Sequence, residues 1–403
     1  MKAMAKATAM TKRALRAGTR LRPSDVDYTI ASVKRACDIL KCFDSERQLL
    51  RLDEIEVRTG LPKPTAFRFL RTLVTCGMLE RREKNLYRLS AARKTKKAYR
   101  FGYAGESEEF SFSRLVSESV QRCAYESGVE LVLLDNQYSA KKALRNAMRF
   151  VDEKVDLVVE FQAHMAVAPQ VASTLSGAGI PLIAIEIPHP GAYFYGANNY
   201  RAGWIAGHYL AQNCLNMWDG KFDELLLLGL PMAGQIPQTR MTGLIAGLRE
   251  LLPKFDDRQV ISVNGHGQYE HTLSAVRKHV RSGKALRVLI GGINDPSTLG
   301  AFRAYEEAGR AENCLVVGQN ASIEARREIR RPGSRFIGSV AYFPENYGQA
   351  VMDFAFDVLL GKEVPPALFV KHRLITAANV DEIYPNDALI PMDSSDSLLY
   401  SSR

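Results

Sequence analysis

The chain reads as an N-terminal winged helix-turn-helix (α+β) followed by a two-lobed α/β domain. Residues 49–89 carry the spacing of two short helices, a tight turn and a basic hairpin. The charge is split: residues 1–100 hold 25 Lys and Arg against 10 Asp and Glu, a net +15, while the remainder holds 29 against 34, a net −5. From about Ala98 onward, short apolar strands alternate with amphipathic helices. At 403 residues and 46% hydrophobic content the chain can bury a large core in two or three domains.

The first observation comes down to individual residues. Asp53 can cap the first helix of the pair, with Glu56 completing a capping box. Gly60 can take the left-handed conformation that closes it, and Leu61-Pro62 leads into the next helix. From Lys63 to Cys76 the apolar side chains Ala66, Phe69, Leu70 and Leu73 recur at helical spacing, leaving Thr65, Arg68, Arg71 and Thr72 on the opposite face. A helix with one buried side and a Thr/Arg outer side suits a DNA major groove. Leu79–Arg81 and Leu86–Leu89 are short strands around Glu83-Lys84-Asn85, with Arg81, Arg82, Lys84 and Arg88 at the tip of a wing suited to phosphates or the minor groove. Upstream, Val33, Ala36, Ile39, Leu40 and Phe43 form an amphipathic first helix expected to pack beneath the pair.

This segment resembles the DNA-binding domain of the IclR family of bacterial transcription regulators, from about Ser32 to Leu89. The resemblance rests on Ser32-Val33-Lys34-Arg35-Ala36, Ile39-Leu40, Thr59-Gly60-Leu61-Pro62-Lys63, Thr65-Ala66, Arg68, Leu70, Thr72-Leu73, Gly77 and the closing Tyr87-Arg88-Leu89. It implies Lys63, Thr65, Arg68, Arg71, Thr72, Arg81, Arg82 and Lys84 as the DNA-binding residues. Phe67 departs from the family, which often has a polar residue there. Its place at the edge of the apolar face suggests core packing, with contact to a thymine methyl as the alternative.

Residues 1–24 contain no acid and many Lys, Arg, Ala and Thr, without the apolar core of a secretory signal. We read 1–27 as a disordered basic arm that could add sequence-independent DNA affinity, or as an extended non-native start. The winged helix-turn-helix then spans 28–90, a polar basic linker 91–97, the ligand-binding domain 98–376 and a tail 377–403. Cysteines 37, 42, 76, 123, 214 and 314 form no CxxC pair and read as small buried hydrophobes in a reducing compartment. No run approaches the roughly 20 apolar residues that span a bilayer, so a cytoplasmic protein without membrane partners is expected.

In the second region the strands are Ala98–Ala104, Val129–Leu134, Val155–Glu160, Ile180–Glu186, Glu224–Gly229, Val260–Val263, Leu286–Ile290, Cys314–Val317 and Phe336–Val340. Between them lie helices such as Phe112–Ser127, Arg201–Cys214, Arg240–Leu251 and Tyr269–Arg281. Crossover helices between strands demand parallel sheet covered on both faces. So many strands exceed one compact sheet, which favours two lobes with a cleft at the strands' carboxyl ends.

This region resembles the periplasmic-binding-protein type 1 fold, also the effector domain of LacI-type repressors, over about 98–370. The resemblance is carried by Gly128–Asp135, Val155-Asp156, Ala178-Gly179-Ile180-Pro181, Asn198-Asn199 with Gly203 and Gly207, Arg240 with Gly243, Asn294-Asp295 with Gly300, and Val316-Val317-Gly318. It implies two lobes joined by three hinges, placed near 199, 343 and 367 (Asn198–Tyr200, Tyr342–Pro344 and the segment around Pro365–Phe369). It also implies a ligand site of Phe112, Phe161, Gln162, Glu186, Arg240, Asn294, Asn320 and Tyr342, with a sugar or polyol as the leading ligand class. Ile187 stands where that family often has Arg, Asn320 where Asp is common, and Tyr342 where an amide is common. Each residue has a plainer alternative: an ion-paired helix start for Arg240, a helix cap for Asn294, core packing for Phe112 and Phe161.

Other features point away from catalysis. Asn264-Gly265-His266-Gly267 lacks the third glycine of a dinucleotide fingerprint, and no Walker motif occurs. His164, His189 and His266 sit near predicted strand ends without HExxH or Cys/His clustering, so no metal, no cofactor and no enzymatic activity are expected. Glu106, Glu108 and Glu109 read as a solvated acidic loop. The expected protein is a ligand-responsive transcription regulator such as a repressor, binding double-stranded operator DNA as a homodimer or dimer of dimers. The alternative is a solute receptor without a transcriptional role, which calls for an export signal and no DNA-reading head.

Overall fold

The computed structural model describes residues 30–45, 48–83, 85–90 and 99–387. The expectations for the arm at 1–27, for Lys84, for the linker at 91–97 and for 388–403 of the tail lie outside them. Residues 377–387, expected to belong to the tail from 377, are part of the fold, with Val380 in a core and Asp387 paired with Arg326 and Arg330. The chain divides into two compact units, Met1–Lys97 and Ala98–Arg403.

In the first unit, helices α1 (Ala31–Leu40), α2 (Leu52–Thr59) and α3 (Lys63–Thr75) pack against an antiparallel sheet of β1 (Leu50–Arg51), β2 (Leu79–Glu83) and β3 (Leu86–Leu89) in the order β1-β3-β2. Ala66, Leu70 and Leu73 of α3 are buried with Ile39, Phe43, Leu50, Ile55, Leu79, Tyr87 and Leu89. Gly60 is left-handed at φ 65° and donates to the Glu56 carbonyl at 2.9 Å, ending α2 one residue before the turn.

Several details differ from the reading above. Helix α2 starts at Leu52, so Glu54, not Glu56, accepts the N–H of its cap residue Arg51 at 2.6 Å, while Asp53 pairs with Lys63 at 2.6 Å. Phe67 is exposed at 38%, because α3 turns its side chain a step outside the stripe made by Ala66, Leu70 and Leu73. Val33 is likewise exposed, and of α1 and its end only Ile39, Cys42 and Phe43 are fully buried. Arg88 folds back onto Glu80 through two contacts, at 3.0 and 2.7 Å, and does not belong to the wing tip. Cys37 and Cys76 are exposed, and the other four cysteines are buried.

The second unit contains two six-stranded sheets. In lobe 1, β4 (Arg100–Gly105), β5 (Glu130–Asp135), β6 (Leu157–Phe161), β7 (Leu182–Ile185), β8 (Tyr193–Gly196) and β14 (Ala367–Phe369) run parallel in the order β14-β8-β7-β6-β4-β5. Helices α4 (Ser111–Ser127), α5 (Ala140–Asp152), α6 (Ala168–Gly177) and α12 (Tyr347–Leu359) cover it. In lobe 2, β9 (Glu224–Gly229), β10 (Val260–Asn264), β11 (Val288–Gly292), β12 (Cys314–Asn320), β13 (Phe336–Ala341) and β15 (Arg373–Thr376) lie in the order β10-β9-β11-β12-β13-β15, with β15 antiparallel. Its helices are α7 (Asn199–Trp218), α8 (Gln235–Leu251), α9 (Tyr269–Ser282), α10 (Asp295–Glu307), α11 (Ile323–Arg330) and the short α13 (Val380–Ile383).

Neighbouring residues of a strand serve opposite cores. Leu157 and Val159 join one side of lobe 1 and Val158 the other, while Cys314 and Val316 face away from Leu315 and Val317 in lobe 2. This two-sided burial is why the strands read as continuous apolar runs. Strands β8, β14 and β15 escaped the sequence reading, being three or four residues long and flanked by Gly, Pro or charged residues. The exposed Leu286 precedes β11 rather than opening it.

The chain passes between the sheets three times: from β8 to α7, from β13 to α12 and from β14 to β15. The last passage, at residues 370–372, lies just beyond the segment read from sequence. Lobe 2 is ordered around the crossing of α7 and α8. A Cβ on Gly203 would overlap the Arg240 carbonyl, on Gly207 that of Leu244, on Gly243 that of Tyr200 and on Gly247 that of Trp204. Gly at every point of closest approach lets the two backbones touch. Gly243→Ala is therefore expected to lower unfolding stability by about 3 kcal/mol or more, since overpacking here meets backbone that cannot rotate away. Urea denaturation of the variant measures this, and a loss under about 1 kcal/mol would contradict the contact.

Candidate functional site

The carboxyl ends of the parallel strands of both sheets meet at a cleft. Its walls include Glu106, Phe112, Phe161, Glu186, Arg240, Asn294, Asn320 and Tyr342. Seven of the eight predicted ligand residues thus come together. Gln162 does not: it is buried behind the wall, where its Oε1 accepts the His164 N–H and its Nε2 has no partner among the described residues.

Glu186 follows β7 in the left-handed region at φ 61°, an uncommon conformation for a residue with a side chain. The fold holds it there through its N–H, which donates to the Tyr195 carbonyl at 3.1 Å, and through Gly196, where a Cβ would come within 3.0 Å of that nitrogen. The carboxylate turns inward. Its Oε1 accepts from the Ala197 N–H at 3.1 Å and the Tyr347 hydroxyl at 2.7 Å, and its Oε2 lies 3.8 Å from Arg240. Burial raises the pKa of Glu186, opposed by Arg240 and by these donors.

Arg240 projects from α8 at the glycine crossing. Its Nε and one terminal nitrogen donate to Asn199 Oδ1 at 3.1 and 2.6 Å, the other donates to the Ile293 carbonyl, and the guanidinium lies 4.9 Å from the Tyr342 ring centre. It lines the cleft and anchors its wall, from a position inside α8 and not at the helix start that the plainer alternative called for. Asn294 is the helix cap of its plainer alternative and also lines the cleft. Its Oδ1 caps α10 through the Ser297 N–H at 3.1 Å, and its Nδ2 donates to the Gly267 carbonyl at 2.8 Å. Phe112, from α4, meets Phe161, Tyr342 and Tyr347 edge-on at 5.9–6.3 Å between ring centres. It packs against the cores of both lobes, making it core and cleft at once. The Tyr342 hydroxyl donates to Gln319 Oε1 at 2.9 Å.

Glu106 corrects the acidic-loop reading. It follows β4 directly and lines the cleft, whereas Glu108 and Glu109 face outward. Burial and the charge of Glu186 push its pKa up to about 8. A signal was available, since residues that end the strands of a parallel sheet face the ligand crevice. The mouth is spanned by the Tyr138 hydroxyl donating to the His266 carbonyl at 2.9 Å and by Ser111 donating to Glu324 at 3.3 Å. His189 is buried against the Ile187 carbonyl at 2.8 Å and is not part of the wall.

In the first unit, α3 presents exposed Arg68, Arg71 and Thr72, with Thr65 half-buried. Thr72 Oγ1 bonds back to the Arg68 carbonyl at 2.9 Å. On the wing Arg81 is exposed and Arg82 lies 3.1 Å from Glu80. Three of the implied residues, Arg68, Arg71 and Arg81, therefore carry exposed guanidinium groups on the helix and wing of one small unit.

Two α/β lobes joined by three strands of chain around a polar and aromatic cleft define a solute-binding domain. The model of the periplasmic binding protein domain matches residues 101–363, and the chain belongs to that family. The model of the IclR helix-turn-helix domain matches residues 32–83. Among solved structures, a Mycobacterium smegmatis ABC transporter solute-binding protein with bound glycerol is similar at TM-score 0.63 and 18% identity, covering 74% of this chain and 98% of that one. A Bacillus halodurans solute-binding protein with bound myo-inositol has TM-score 0.61 and 16% identity, covering 72% and 98%. An Actinobacillus succinogenes periplasmic solute-binding protein with bound D-allose has TM-score 0.61 and 15% identity, covering 70% and 99%. These likenesses concern the fold. No curated protein matches the chain. Among the described residues, no helix is long and apolar enough to cross a membrane.

The buried acids give the domain a defined pH response. Burial raises Glu106 and Glu160 to about 8 and Asp295 to about 7, against ordinary values of 4.5 and 3.8. His189 and His372 are held down to about 4, chiefly by burial, so they are neutral in the folded chain here and, above about pH 7.5, largely neutral in the unfolded chain as well. From about pH 6.5 to 8 the folded protein thus binds more protons than the unfolded chain, and stability falls as pH rises. The limiting slope is about 1.4 kcal/mol per pH unit for each protonated acid. Melting temperature between these pH values should decline, and Glu106→Gln should flatten the decline. A flat wild-type profile would contradict the burial of these charges.

Proposed function

We propose that the protein is a transcription regulator whose winged helix binds operator DNA and whose two-lobed domain senses a small sugar or polyol. The observation that carries this reading is the joining, in one chain, of an IclR helix-turn-helix domain to a solute-binding cleft. The glycerol, myo-inositol and D-allose held by the similar structures support a polyhydroxylated ligand. So does the wall itself, in which Phe112 and Phe161 offer apolar ring surface while Asn320, Glu106 and Glu186 offer hydrogen-bonding groups. A buried hydroxyl must keep its hydrogen bonds, and such a mixture allows it.

The mechanism we propose is linkage. The cleft wall draws residues from both lobes, so a ligand stabilises the closed arrangement of the three passages and thereby biases the placement of paired winged helices. By reciprocity, operator DNA then changes ligand affinity by the same factor, typically about 5–150-fold. The protein acts in the cytoplasm as a dimer, because one winged helix reads too few base pairs for genomic specificity. A solute receptor without a transcriptional role would have no use for the exposed Arg68, Arg71 and Arg81.

Two outcomes test this reading. With DNA selected from random sequence, Arg68→Ala is expected to weaken specific binding by about 1–3 kcal/mol if the side chain reads a base. An unchanged ratio of specific to non-specific affinity would reduce it to a phosphate contact. In a thermal-shift screen of the full chain, sugars and polyols should raise the melting temperature. Stabilisation confined to carboxylates or phosphates would overturn the ligand class.

A further inference from the structure

The cleft has more acidic groups than basic ones. Its lining residues include two carboxylates, Glu106 and Glu186, and one cation, Arg240. The three nitrogens of Arg240 already serve Asn199 and the Ile293 carbonyl, and its nearest carboxylate oxygen is Glu186 Oε2 at 3.8 Å. Glu186 is matched in turn by Ala197 and Tyr347. Glu106 has no side-chain partner among the described residues. It also faces space on two sides. A second arm of the cleft, lined by Phe110, Ser111, Tyr138, Pro296 and Ser322, adjoins the first, and Glu106, Phe112, Asn294 and Asn320 form walls of both.

We propose that the ligand is a sugar or polyol bearing a primary ammonium group, seated against Glu106 with Phe112 beside it. This deepens the proposed function and rests on it. An unpaired carboxyl in such a cleft keeps its proton until a cation or strong donors meet it, since a buried charge without a partner is costly. An ammonium group supplies both, with three N–H donors and a positive charge that also suits an aromatic neighbour. Its charge also counters the repulsion between Glu106 and Glu186. A phosphate or carboxylate on the ligand would do the reverse, because among the described residues no second cation lines the cleft to receive it. The charge selects against anionic sugars as strongly as it selects for amines.

Isothermal titration of the full-length protein tests this with matched ligands: 2-amino and 6-amino hexoses and a 1-amino alditol, each against its parent hydroxy compound, the N-acetyl form of the 2-amino sugar and the 6-phosphate of the parent hexose. At least one amine is expected to bind tenfold or more tightly than its parent, with the acetylated and phosphorylated forms weaker. Glu106→Gln, confirmed as folded by its melting curve, should bring the ratio of amine to parent affinity towards one. A parent sugar that binds as tightly as its amine, or a ratio unchanged in Glu106→Gln, overturns this inference and leaves the sugar-sensing reading standing. A 6-phosphate that binds most tightly also overturns it. Failure of every sugar, polyol and amine to bind at millimolar concentration overturns both.

Discussion

The close crossing of α7 and α8 is the constraint on which the cleft depends. Four glycines, at 203, 207, 243 and 247, leave carbonyl oxygens of one helix against the Cα atoms of the other. At that separation Arg240 on α8 reaches Asn199, the first residue of α7, and the Ile293 carbonyl beyond β11. Wider spacing would withdraw the guanidinium from Asn199 and from Glu186 across the cleft. A packing requirement is thereby converted into an electrostatic one, with Arg240, the only cation of the wall among the described residues, placed by glycine rather than by a loop.

The three passages between lobes are joined to one another as well as to the sheets. His372 of the third accepts the N–H of Asn198 in the first at 3.0 Å, and its ring lies 4.7 Å from that of Tyr342 in the second. Accepting that bond requires an unprotonated nitrogen, which agrees with burial and the charge of Arg240 holding the His372 pKa down to about 4. Tyr342 then carries the link inward, since its ring faces Arg240 and its hydroxyl bonds Gln319. Movement at any passage disturbs a residue touching the cleft, the arrangement that linkage between ligand and lobe closure requires.

How much of this was legible in sequence follows from the length scale of each signal. The winged helix and the nine principal strands were legible because their patterns run over many residues: Ala66, Leu70 and Leu73 at helical spacing, and apolar runs such as Leu225–Leu228. Seven wall residues were reached through a family pattern, not through chemistry visible in the residues themselves. What escaped was local. Phe67 fell on the wrong side of a boundary one residue wide, and the three short strands had no periodicity to show. Glu106 sat within Glu106-Ser107-Glu108-Glu109, where composition suggests water; only its position at the end of β4 distinguishes it from its neighbours.

Glu106 and Glu186 show why position outweighs composition here. Both are carboxylates just beyond the end of a lobe 1 strand, but the fold treats them differently. Glu186 is held by a strained backbone, two donors and a guanidinium, so its charge is largely answered within the protein. Glu106 lacks such partners, and burial together with that charge pushes its pKa up to about 8. Carrying an unanswered acid lowers the stability of the ligand-free fold as pH rises, a cost that gains nothing for packing. Such a group persists where function calls for it. If the cleft holds the ligand proposed for it, its selectivity resides less in the residues that hydrogen-bond one another than in the one carboxyl they leave over.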